Sequence, residues 1–329
     1  MDAHTQRLEH ALALLSRQKE TDRLAGAGEL VELARFSEVA ETLRPHLTAL
    51  TIDVHPQLRA AGVAGLSRLG DTQGLRTSFE RGARDDDAHV RREAIRALAS
   101  LEDVAVIPVL ARALQDTDAQ VRFDAAVGLA GLQDRSGVEE LLLALEDKVR
   151  RFAALGALSL LSEPRARPGA ERILARRLFI SDFERTQAAG LLVRLGDGAG
   201  RTYLLQRLER RRADDRGLAM ELCGQHRIVE ATSALRRAFA DPAELFRGTA
   251  ARSLGLLGDV ESTAALIALS RDASADLGVR CDAMEGLMFL RTPEALAALH
   301  ALSADGDPEL RSAANDALDW LQRHPAPTP

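Results

Sequence analysis

Apolar residues recur at intervals of three and four along nearly the whole chain. That spacing puts them on one stripe of an α-helix. The stripe repeats. Aligned on an arginine, it comes at Arg23, Arg59, Arg91, Arg122, Arg150, Arg185, Arg216, Arg247, Arg280 and Arg311. Three residues on stands a small residue every time, from Gly26 and Gly62 to Ala283 and Ala314. Seven on stands leucine, except at Ala157 and Cys223, and ten on leucine again, except at His226. Each copy predicts the second helix of a pair, with a first helix before it. A fixed period in this range is the signature of a solenoid built from helical hairpins.

The first pairs are predicted at Thr5 to Gln18 with Thr21 to Phe36, and at Ser37 to Leu50 with Pro56 to Leu69. Gly70-Asp71-Thr72 marks a helix end followed by a new cap. Pro108 falls in the first turn of its helix, where a missing N–H costs little. Glu146 to Arg150 leaves almost no loop in the fifth repeat. Ser162 to Gly169 holds two prolines and a glycine and predicts an irregular connection. The expected organisation is one array over residues 1–323, with a candidate irregular hinge at 162–226. A disordered tail is expected at 324–329.

Composition narrows the function. One Trp and one Tyr argue against an aromatic-lined cofactor cavity. A net charge of −6 disfavours nucleic acid, whose binders show a basic face. Two cysteines, Cys223 and Cys281, give neither a disulfide framework nor a zinc spacing. No apolar run reaches membrane-spanning length, so a cytoplasmic protein is expected, with no membrane insertion. No phosphate-binding glycine loop and no nucleophile elbow is present.

The pattern Asp-x-x-Val-Arg-x-x-Ala-Ala-x-x-Leu-x-x-Leu-x-Asp stands clearest at Asp118 to Asp134, and again at Asp87 to Leu98 and Asp307 to Ala314. It resembles the HEAT-like repeats of the phycobilisome-lyase type in a bacterial protein. The resemblance implies an all-α fold, a right-handed α-α superhelix of about ten helical hairpins, with second helices on the concave face. It also implies that the recurrent Asp and Arg bond between neighbouring repeats as a ladder. Ladder residues are then Arg59, Arg91, Arg122, Arg150, Arg247, Arg280 and Arg311. The aspartate four residues before the arginine is missing in repeats six to eight, at Ser181, Arg212 and Ala243. The ladder is therefore not expected there. Such repeats serve many binding tasks, so fold alone does not give function.

Function is sought where the pattern breaks. At 100° per residue, positions two, five and nine after the arginine face away from the core. They carry Val127, Phe152 and Leu155 in repeats four and five, with Phe123 beside them. They carry Leu256, Asp282, Glu285, Phe289, Asp316 and Trp320 in repeats eight to ten. Apolar residues rimmed by charge mark a partner site or tuck under a neighbouring repeat. Trp320 is expected to belong to a C-terminal cap. The one locally basic stretch holds Arg172, Arg176, Arg177, Arg207, Arg210, Arg211 and Arg212. It is either a solvated hinge or a seat for an acidic surface or a phosphate group. Cys223 and His226 are spaced for a metal but occupy leucine positions, so a packed pair is expected.

The resulting expectation is a non-enzymatic scaffold or adaptor, without cofactor, metal or catalytic residues, holding a protein or peptide partner in its groove. The family resemblance admits two alternatives, a bilin chromophore lyase or chaperone-like subunit and a DNA-binding protein.

Overall fold

The computed structural model describes residues 3–70, 75–176, 178–210 and 214–325, and among them all regular structure is helical. The chain divides into two compact units, Met1–Glu163 and Pro164–Pro329. The division falls inside the irregular Ser162 to Gly169 stretch. The first unit holds α1 (Ala3–Leu15), α2 (Glu20–Leu33), α3 (Ala40–Leu50), α4 (Pro56–Arg68) and α5 (Arg76–Gly82). It continues with α6 (Ala88–Ala99), α7 (Ile107–Ala113), α8 (Ala119–Gly131), α9 (Val138–Ala144) and α10 (Arg151–Leu160). The second holds α11 (Arg167–Ala175), α12 (Asp182–Arg194), α13 (Gly198–Leu208), α14 (Arg216–Gln225) and α15 (Thr232–Ala240). It ends with α16 (Arg247–Leu257), α17 (Thr263–Arg271), α18 (Leu277–Leu290), α19 (Pro293–Leu302) and α20 (Pro308–Arg323).

In each unit, odd and even helices alternate as hairpins, and the even ones pack side by side. Caps start many of the even helices. Asp87 accepts from the backbone N–H of His89 and Val90, and Asp118 from those of Gln120 and Val121. Each such cap contributes about 1 kcal/mol. Ser181 and Glu184 form a reciprocal capping box on α12, so serine replaces the missing aspartate there.

The small residue three after the arginine has a steric cause. A Cβ added at Gly62 would lie 2.7 Å from the backbone nitrogen of Thr51, at the junction of α3 and α4. Between α16 and α18 the contact is backbone on backbone, and a Cβ at Gly255 would lie 2.2 Å from the carbonyl oxygen of Gly286. The leucines at positions seven and ten fill one core in each unit, among them Leu30, Leu66, Leu98 and Leu129, then Leu254 and Leu287.

Repeat five departs from the expected frame. Arg151, not Arg150, is the buried arginine, and its Nε donates to the carbonyl oxygen of Leu145 at 2.7 Å. Ala154, Leu158 and Leu161 are buried, whereas Leu160 is 52% exposed. The repeat is therefore counted from Arg151. This moves Leu155 from the groove into the core, at 0% exposure.

The tail also departs at its first residue. The His324 ring stacks on Trp320 with centroids 4.4 Å apart, and Arg291 donates to the His324 carbonyl at 2.7 Å. Residues 326–329 lie outside the described residues.

Candidate functional site

The recurrent arginine is a ladder rung in the first unit. Arg59 forks onto Asp85 with Nε and one terminal nitrogen at 2.8 and 2.7 Å. Its other terminal nitrogen donates to the carbonyls of Asp53 and Val54. Arg91 does the same with Asp116, at 2.8 Å for both bonds, and with the carbonyls of Asp85 and Asp86. Arg23 pairs with Asp53. Such planar forks are the strong form of the arginine–carboxylate bond. The bonds from Arg59 and Arg91 hold Asp85 and Asp116 below the usual carboxylate range. The acceptor thus stands six residues before the next arginine, not four.

Farther on, the rungs change partner. Arg122 reaches Glu140 at 3.6 Å, and Arg150 also approaches Glu140 at 3.6 Å. Arg216 pairs with Glu244, so the ladder persists where no aspartate was found by sequence. The Nε of Arg247 donates to the Phe239 carbonyl at 3.0 Å, and that of Arg280 to the Ser270 carbonyl at 3.3 Å. Arg311 donates to the Asp305 carbonyl at 2.6 Å.

The groove expected in repeats four and five does not form from the expected residues. Phe123 is 4% exposed, with the Arg150 guanidinium 5.6 Å from its ring centroid, and Leu155 is core. Phe152 is 42% exposed, and Val127 is half-buried. A helical wheel places Phe123 at the margin, but it cannot show that a guanidinium closes over the ring.

A cavity of about 390 Å³ lies along α18 and α20. Cys281, Met284, Met288, Phe289, Ala313 and Ala317 line it with Trp320, and Glu285 and Asp316 stand at its polar edge. Phe289 meets Trp320 edge-on at 5.7 Å, and Arg291 sits 5.4 Å from the Trp320 ring centroid. Trp320 is thus a wall of the groove. Asp282 is half-buried against Gly248 of α16, outside the cavity lining, and burial pushes its carboxyl up. Arg252 reaches Glu285 at 3.4 Å. Leu256 is half-buried on α16, outside the cavity lining. Burial, then the Asp282 charge, pushes the Cys281 thiol up, which opposes a nucleophilic thiolate in this groove. Met284 and Met288 went unnoticed in the sequence because their helical angle reads as core.

Cys223 is fully buried and its thiol is pushed up to about 12, by burial first and then by the Glu230 charge. Burial and then the Arg194 charge push His226 down. Among the described residues no cluster of His, Cys, Asp or Glu is arranged to hold a metal ion. No described helix is long and apolar enough to cross a membrane.

The basic stretch divides. Arg177, Arg211 and Arg212 lie outside the described residues. Arg172 and Arg176 are exposed near the end of α11. Arg207 and Arg210 line a second cavity, of about 470 Å³, together with Leu174, Ala175, Arg185, Tyr203 and Gln206.

Comparison with known proteins agrees with this architecture. The sequence pattern of HEAT repeats matches residues 43–130 and 202–278, just over half of the chain. No curated protein matches the chain. The solved complex of CpcE and CpcF of phycocyanin lyase from Nostoc sp. PCC7120 is similar in fold, with 18% identity and a TM-score of 0.51. The match covers 75% of this chain and 93% of that one. An engineered protein matches at 16% identity and TM-score 0.41, over 96% of this chain and 99% of its own. Human deoxyhypusine hydroxylase matches at 22% identity and TM-score 0.32, over 87% and 98%.

Proposed function

The chain belongs to the HEAT-repeat family, and on that premise we propose that it is a non-enzymatic scaffold seating a basic amphipathic segment of a protein partner along α18 and α20. The observation that carries the proposal is the pairing of a methionine- and aromatic-floored groove with carboxylates at its edge. Methionine is unbranched and polarisable, so a Met284–Met288 floor adapts to the apolar side chains of a helix. Phe289 and Trp320 supply rigid anchors of the kind that dominate binding energy. Glu285 and Asp316 favour lysine and arginine on the incoming segment and repel an acidic one. The phycocyanin-lyase structure is itself a complex of two proteins, CpcE with CpcF, which supports protein partnership as a use of this fold. The described residues offer no independent observation for bilin chemistry or for a basic DNA-facing groove.

Trp320 is the chain's one tryptophan, so it reports on its own groove. A synthetic amphipathic helix with leucines on one face and arginines on the other should shift Trp320 emission saturably. The affinity should fall as salt rises, and by about tenfold or more in Glu285→Arg with Asp316→Arg, as like charges replace opposite ones. A spectrum that stays unchanged at saturating peptide would sink the assignment. An absorbance change on mixing with a bilin, in its place, would favour the lyase reading.

A further inference from the structure

The cavity formed by α11, α12 and α13 is lined by Arg185, Arg207 and Arg210. In the first unit the position six before Arg59, Arg91 and Arg122 carries the carboxylate that accepts from the preceding rung, at Asp53, Asp85 and Asp116. Before Arg216 that position carries Arg210. The rung has been inverted in charge, and Arg185 faces a cavity that Arg210 also lines.

The donors left behind match the inversion. In Arg59 and Arg91 it is Nε that bonds the next repeat's carboxylate. In Arg185 the same Nε is buried and has no partner, and the guanidinium turns back to Asp182 on its own helix. Arg207, 3% exposed, likewise leaves its Nε unpaired, as does the buried hydroxyl of Tyr203. Both guanidinium carbons stand 5.9 Å from the Tyr203 ring centroid. Buried donors without partners are costly, and several at one cavity mark a place where an acceptor belongs.

Charge fixes the sign of that acceptor. Arg207 bonds Asp182 at 2.8 Å and also Asp215, and Asp215 accepts from the Thr186 hydroxyl. Although burial pulls the other way, bonds from Arg185 and Arg207 hold Asp182 below the usual carboxylate range. Two carboxylates therefore balance Arg185 and Arg207, and Arg210 is left in excess. We propose that this cavity binds a phosphate-class oxyanion, which takes the place of the absent rung carboxylate between Arg185, Arg210 and the Tyr203 hydroxyl. Arginine suits phosphate because its planar donors match two oxygens at once. The volume exceeds a bare phosphate, and Leu174 and Ala175 give one apolar wall, so an organic group on the phosphate also fits.

Titration calorimetry of the full chain in chloride buffer tests this, with inorganic phosphate and phenyl phosphate as separate probes. Saturable binding of either is the expected result. Tighter binding of phenyl phosphate identifies the source as a monoester, and equal or weaker binding identifies it as free phosphate. Arg210→Asp restores the rung carboxylate and should abolish binding while helical circular dichroism is retained. Tyr203→Phe removes one donor and should weaken binding about tenfold or more, since a hydrogen bond to a charged group carries roughly 1.5–3 kcal/mol. Absence of saturable heat with the folded wild-type chain overturns the proposal. So does wild-type affinity in Arg210→Asp, or in a Tyr203→Phe chain of unchanged helicity.

Discussion

The frame of repeat five can be decided by a pair of truncations in α10. Counting from Arg150 makes Leu160 a core residue, and counting from Arg151 makes Leu158 one. The structure buries Leu158 completely and leaves Leu160 52% exposed. Leu158→Ala removes a buried isobutyl group and leaves a cavity, a change that costs roughly 2–5 kcal/mol. Leu160→Ala removes surface that is already half in water and should stay within about 0.5 kcal/mol. The arginines repeat the contrast. Arg151→Gln strands the Leu145 carbonyl in the interior, at about 1–3 kcal/mol. Arg150→Gln loses partly exposed pairs with Asp147 and Glu140, at roughly 1 kcal/mol or less. A repeat array can open locally, so amide hydrogen exchange across α9 and α10 is the proper assay, with urea titration beside it. Equal loss of protection in Leu158→Ala and Leu160→Ala would refute the Arg151 frame.

Two further outcomes follow from the titrating groups. Asp85 and Asp116 are held below the ordinary carboxylate range by Arg59 and Arg91, so the folded chain binds fewer protons than the unfolded one in acid. Their stabilising effect is full above the unfolded value of about 4 and is lost as pH falls through the depressed folded value. Melting temperatures of wild type and Asp85→Asn with Asp116→Asn should therefore differ at pH 7 and converge toward pH 3; a constant gap contradicts the argument. With iodoacetamide at pH 8, mass spectrometry should find Cys281 alkylated slowly and Cys223 untouched until the chain unfolds. Equal native labelling of the two would mean that the second core is open at α14.

How much of this was legible in the sequence depended on whether a signal was local. Helical hairpins, caps and core leucines could be read because period, cap residue and small residue all point the same way. Repeat five was misread because Arg150 and Arg151 are adjacent; of the two frames, the count from Arg150 meets Ala157 where leucine recurs, and the count from Arg151 meets Leu158. What decides between them is the carbonyl of Leu145, a partner no periodicity reveals. Leu155 fell with that frame, whereas Phe123, on α8 in repeat four, is covered by the Arg150 guanidinium. Glu285 and Phe289 keep the spacing read from the sequence because α18 holds an unbroken register from its Asp276 cap. That Trp320 lines the same cavity needed the neighbouring helix. Arg185 and Tyr203 were passed over because one looks like every other rung and the other is a lone aromatic on a first helix.

The rungs show why recurrence is a poor guide to function here and a good guide to its location. A guanidinium bonded by Nε to a neighbour's carboxylate and by a terminal nitrogen to loop carbonyls, as in Arg59 and Arg91, has few donors left for a ligand. Such an arginine is framework, and replacing it disturbs the stacking of two repeats. The same residue becomes available when its acceptor is taken away, since five donors on a fixed plane cannot all be satisfied by one carboxylate of its own helix. Arg185 meets that condition, with its forward position occupied by another cation and its Nε unpaired. The groove along α18 and α20 obeys the complementary rule. Arg280 turns its Nε to a backbone carbonyl, while Glu285, reached by Arg252 at 3.4 Å, and Asp316 set carboxylates at the groove's edge. An array of near-identical hairpins thus gains an anion-seeking site and a cation-seeking groove by small changes of charge in its ladder, with the helical framework left intact.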